Sequence, residues 1–139
     1  MDINLIADFE ISALSNFLIG LVAALHVGFL ILEIFFWESD LVQKRIAALT
    51  QELGQQGIGI TGRLAMNMGL YNGFLAAGLV WGLLATQQGF SIKLFFLVCI
   101  IIAGVFGALT VKKSIFFFQA LPGILAFIFM WFTQYPKLF

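Results

Sequence analysis

Four stretches of this chain, residues 15–37, 64–86, 92–111 and 114–133, are apolar over close to the ~20 residues that a helix needs to cross hydrocarbon. None alternates polar and apolar side chains as a spanning strand must, so a membrane β-barrel is excluded. Only 10% of the 139 residues are charged while 62% are hydrophobic, a balance outside that of soluble domains. The expected fold is an all-α membrane protein. Its four transmembrane helices pack as one bundle, and the domain takes in the whole chain, residues 1–139.

The connections are short except for one. Residues 87–91 make a turn between the second and third spans, and only Lys112 and Lys113 interrupt the third and fourth. Between the first and second spans, Val42, Ile46, Leu49 and Leu53 recur at helical spacing with Lys44, Arg45, Gln51 and Glu52 elsewhere on the wheel. This predicts an amphipathic helix over about residues 40–53, lying along the interface. Ser39 or Asp40 would cap its start, and Gly54 would end it. The following GQQGIGITG, residues 54–62, reads as a flexible return. It lacks the strand and the Lys-Ser/Thr of a phosphate loop.

Loop charge sets the orientation. Lys44, Arg45, Arg63, Lys112 and Lys113 fall on one side, with Lys93 and Lys137 on the other. The positive-inside rule puts the first group in the cytoplasm and both termini outside, which suits a bacterial inner membrane. Residues 1–14 carry Asp2, Asp8 and Glu10 but no cation, unlike a secretory signal, and read as a short extramembrane lead-in. Cys99 is the only cysteine, so no disulfide framework exists. No basic cluster suits nucleic acid.

Within the spans the polar residues are few and share a depth. His26 and Glu33 are seven residues apart on the first span, which places them within about 20° on one helix face. A charge at the centre of a spanning helix costs at least ~2.5–3.5 kcal/mol, so such a residue marks a functional site by default. With the orientation above, Glu33, Asn67, Tyr71, Asn72, Thr110 and Gln119 lie about 5–12 Å from the cytoplasmic ends of their helices. His26 is deeper. Asn67 and Tyr71, one turn apart, can face one partner, whereas Asn72 points about 140° away from Asn67. Pro122 has no N–H for the carbonyl of Phe118, leaving it available near Gln119.

His26, Glu33, Asn67, Tyr71, Asn72 and Gln119 are thus the ligand-binding or proton-linked candidates, with Lys112 or Lys113 as charge partners for Glu33. A carboxyl in hydrocarbon without such a partner favours its neutral form. One histidine with one buried carboxylate is no metal-ligand set, a second haem ligand is missing, and no nucleophile accompanies His26. The sequence names no cofactor.

Small residues four apart let membrane helices approach closely. Gly20, Ala24 and Gly28 form such a ridge on the first span. Gly69, Gly73 and Ala77 form another on the second, with Gly78 and Gly82 displaced from it, and the third has Ala103/Gly107 and Gly104/Ala108. These ridges suit interhelical packing and a homo-oligomer seam. Three functions fit the whole. The first is binding or moving a small lipophilic or amphipathic molecule in a polar intramembrane pocket. The others are an accessory subunit of a larger membrane complex, and an oligomeric membrane enzyme acting on a lipophilic substrate.

Four blocks resemble a family of small bacterial and fungal membrane proteins grouped as domain of unknown function 1304. They are His26, Glu33 and Trp37; residues 67–78, NMGLYNGFLAAG; Ala103–Gly107 with Thr110; and Gln119–Pro122. The family pattern carries Gln where this chain has Met68. The resemblance implies a four-helix membrane protein and no assigned activity. Arg63, Asn67 and Asn72 are more loosely similar to the second helix of glutathione-handling membrane enzymes of eicosanoid metabolism, whose arginine array has no counterpart here. Small multidrug transporters share the size and a first-helix carboxylate, but their aromatic-rich motifs are absent.

Overall fold

Hydrocarbon offers no partner for a backbone N–H or C=O, so a long apolar run must satisfy both from within, as a helix does. The computed structural model describes residues 3–50 and 54–134, and every regular element among them is helical. α1 covers Ile3–Phe35, α2 Asp40–Thr50, α3 Gly54–Leu84 and α4 Gly89–Thr110. A π turn at Phe116–Ala120 leads into α5, Leu121–Gln134.

Three helical stretches are long and apolar enough to cross a membrane: Phe9–Phe35, Gly89–Thr110 and Phe116–Gln134. The chain is therefore built as a membrane protein. The first of these begins before residue 15 and takes in Glu10, because α1 runs unbroken from Ile3. The anticipated crossing at residues 64–86 is not among the three. At 31 residues α3 has the length, but Asn67, Asn72 and its many glycines make it less apolar than the others.

Residues 54–62 differ from expectation. They are the opening turns of α3 rather than a flexible return. Glycine in a helix costs about 1 kcal/mol relative to alanine, so a contact must offset it. One is visible at Gly62, where an added Cβ would stand 3.4 Å from Glu38 Oε1 and 3.5 Å from Trp37 Cδ1. Beside it the Trp37 indole Nε1 donates to Thr61 Oγ1 at 3.5 Å.

α2 starts at Asp40 as anticipated, and the Ser39 carbonyl accepts from the Gln43 N–H at 2.9 Å. The Ser39 hydroxyl turns back to the Phe36 carbonyl at 2.6 Å, and the Gln43 side chain donates to the Trp37 carbonyl at 2.7 Å. Both bonds satisfy carbonyls in the turn just after α1. Val42 and Ile46 are half-buried and Lys44 is exposed. Gln51, Glu52, Leu53 and Lys137, which figured in the readings of interfacial helix and charge, lie outside the described residues.

Contacts divide the chain into two compact units, residues 1–25 with 75–139, and residues 26–74. The core of the first is wholly apolar: Ile19, Val22 and Ala23 from α1, Leu79 from α3, Leu97 and Ile100 from α4, and Ala126 and Met130 from α5. Glycines let these helices close up. An added Cβ at Gly78 would run into the Phe96 ring, one at Gly82 would lie 2.6 Å from Lys93 Cγ, and one at Gly123 would lie 3.2 Å from Ile100 and Ile101. At Gly104 the neighbour is backbone, with the would-be Cβ 2.6 Å from the nitrogen of Ala120. The turn into α4 is equally close, because Gly89 would place a Cβ 2.8 Å from the Gly82 carbonyl oxygen.

Candidate functional site

Residues 26–74 form a hairpin of the last turns of α1 and the first two-thirds of α3, joined through α2. Small side chains on α3 decide how near its partner comes. A Cβ at Gly69 would meet Ile34 Cγ1 at 2.8 Å, Glu33 Cβ at 3.2 Å and the Leu30 carbonyl oxygen at 3.2 Å. One at Gly73 would meet Leu30 Cδ1 at 2.5 Å. Asn72 sits three residues after Gly69 and beside Gly73, so it shares the face turned toward α1.

That approach produces a polar contact between α1 and α3. The Asn72 amide Nδ2 donates to Glu33 Oε2 at 2.7 Å, and both side chains are half-buried. At 2.7 Å the bond is at the short end of the ordinary N–H···O range. One-turn spacing pointed to Asn67 and Tyr71 as a pair able to face one partner. The geometry instead selects Asn72, and Asn67 and Tyr71 are exposed on another side of α3. Tyr71 is 58% exposed, with its ring edge-on to Phe74. His26 is fully buried, its ring 5.5 Å from that of Phe29 in an edge-to-face arrangement.

The remaining candidates belong to the larger unit. Gln119 lies in the π turn and is half-buried, while Lys112 and Lys113 are exposed in the turn after α4. The Thr110 hydroxyl is occupied by the Phe106 carbonyl of its own helix at 2.8 Å. A contact that sequence reasoning did not foresee is at the other end of this unit, where Lys93 Nζ donates to Asn16 Oδ1 at 3.4 Å. Its signal was the glycine at position 82, which makes room for the lysine stem.

A carboxyl and a carboxamide on facing helices can bind a hydroxyl, an amine or a proton, because each side chain keeps further acceptor or donor capacity after pairing. No group of three His, Cys, Asp or Glu side chains able to hold a metal ion occurs among the described residues.

The chain belongs to the family described as protein of unknown function DUF1304, whose model matches residues 20–131. That stretch includes the Glu33–Asn72 pair, the glycines beside it and the π turn. No curated protein and no solved structure matches the chain.

Proposed function

We propose that this member of the DUF1304 family binds a small amphipathic molecule through Glu33 and Asn72 within the membrane, with Glu33 as the group whose protonation governs binding. The hydrogen bond between their side chains carries the reading. It joins two polar groups on helices drawn together by glycine, where an Ile or Leu pair would have been less costly to bury. In this reading α3 is the fourth spanning helix, its polar residues turned to protein and ligand rather than to lipid. Both termini lie outside, and Glu33, Asn72 and Gln119 stand in the cytoplasmic half. His26, fully buried and deeper along α1, serves as a relay or a ligand contact.

A second reading rests on Asn67 and Tyr71. Two polar side chains exposed on α3 at that depth suit a protein neighbour, either another copy of this chain or a larger complex in which it is an accessory subunit.

Native mass spectrometry after gentle purification tests both readings. A small molecule retained by the wild type and lost in Asn72→Leu supports the ligand site, and a co-purifying protein lost in Asn67→Leu supports the accessory role. Glu33→Gln keeps the shape but cannot titrate. Binding of the retained molecule should depend on pH in the wild type and not in this variant. An unaltered pH profile in Glu33→Gln would reduce Glu33 to a packing residue.

A further inference from the structure

The π turn takes from one carbonyl its usual backbone donor. The Leu121 N–H, which an α-helix would give to Phe117, goes instead to the Phe116 carbonyl. The next residue is Pro122, which has no N–H. The Phe117 carbonyl therefore has no backbone donor four or five residues on, and the Phe118 carbonyl has none four residues on. One side of the turn is fixed, since Ala120 is fully buried against Gly104. Phe117 and Phe118 are each 62% exposed, on the outside of the protein. Hydrocarbon cannot donate to a carbonyl, and a kinked spanning helix is tolerated where something else does.

Two cations stand nearer the surface. Lys112 and Lys113 are exposed in the turn between two stretches long and apolar enough to span, so this turn is at the water boundary. Among the described residues neither lysine has an acidic partner within ion-pair distance. Lys113 stands four residues before Phe117, just outside the helix, and its carbonyl accepts the Phe116 N–H at 3.2 Å. Deeper still, Leu125, Ile128 and Phe132 continue the side of Phe117 down α5, each about two-fifths exposed.

From the surface inward the order is thus two cations, then a carbonyl without its helical donor, then an apolar strip. We infer that this flank of α5 binds a phospholipid with one acyl chain and a free hydroxyl on its glycerol. Its phosphate sits at Lys112 and Lys113, its hydroxyl donates to the Phe117 carbonyl, and its chain lies along α5. A two-chain phospholipid has the phosphate but no hydroxyl at that depth. The inference rests on α4 and α5 spanning the bilayer and is independent of the Glu33 site.

The test compares binding of oleoyl-lysophosphatidylcholine with that of its glycerol methyl ether, by native mass spectrometry of the full-length protein. The two differ only in the donor. The free hydroxyl should bind roughly threefold to tenfold tighter, the range of one net hydrogen bond. Pro122→Ala returns an N–H to the helix and should bring that ratio to about one. Lys112→Gln with Lys113→Gln should weaken both lipids alike. Equal binding of the two lipids by the wild type would overturn the inference whether or not the proline variant folds. So would displacement of both by inorganic phosphate with equal ease, which would mark a plain anion site.

Discussion

In the larger unit an added Cβ at Gly104 would strike the backbone of Ala120, whereas in the smaller one a Cβ at Gly69 would first meet the side chain of Ile34. Both positions bring helices close, but toward different ends. Around Gly104, Gly78 and Gly123 the approach fills an apolar core with Phe96, Ile100 and Met130. Around Gly69 and Gly73 it sets a carboxyl against an amide. Packing without a hydrophobic drive rests on contact alone, so the first region should tolerate almost no added volume. The second has a side chain that can give way, and what it stands to lose is an alignment.

Gly104→Val is the severest test of this contrast. Overpacking against an immovable backbone should cost about 3 kcal/mol or more, seen as loss of monodisperse protein in detergent or a collapsed melting transition. A well-folded variant would refute the tight packing of α4 on the π turn. Gly69→Ala should cost about 1–2 kcal/mol, because Ile34 can rotate but the Leu30 carbonyl cannot. The informative readout is separation: retained ligand should fall by more than the melting temperature suggests. If the two fall together, the smaller unit is packed for stability only.

Smaller effects discriminate between the two sides of α3. Asn72→Leu should lower stability by ~0.6–1.7 kcal/mol, the range of interhelical side-chain hydrogen bonds in membranes, while Asn67→Leu should change the isolated protein by less than about 0.5 kcal/mol. Equal losses, measured by unfolding in mixed micelles, would remove the distinction between a paired and an exposed asparagine. Gly20→Ala and Gly28→Ala should act in the opposite direction, since nothing lies within 4 Å of the added Cβ. Each should stabilise α1 by about 0.5–1 kcal/mol. A loss instead, accompanied by a lower mass in light scattering, would make that ridge a seam between copies.

The sequence-derived helices of residues 15–37, 92–111 and 114–133 were readable because apolar length alone dictates them. α3 was only half legible. Its first turns are glycine-rich, and glycine reads as a return loop until the Trp37 and Glu38 side chains that use the space are known. The pairing of Glu33 shows where depth misleads. Residues 67, 71 and 72 are within two turns of one another, so depth ranks them together and angle separates them. The deciding signal was present in Gly69–x–x–Asn72–Gly73: a polar residue flanked by the small ones lies on the face that packs. Pro122 pointed to an open carbonyl at Phe118, but the π turn takes the usual donor from Phe117 as well, and no residue type specifies that turn.

The π turn has a consequence for chain length. It holds one residue more than an α-helix of the same rise, so the stretch Phe116–Phe118 can lose a residue and relax into α geometry. Gly123, Ala126 and Met130 would keep their phase on the core. A deletion after Pro122 has no such slack, and would swing the residues beyond it by about 100°. Homologues that differ in length here should differ on the near side of the proline, where the helix stores a spare position.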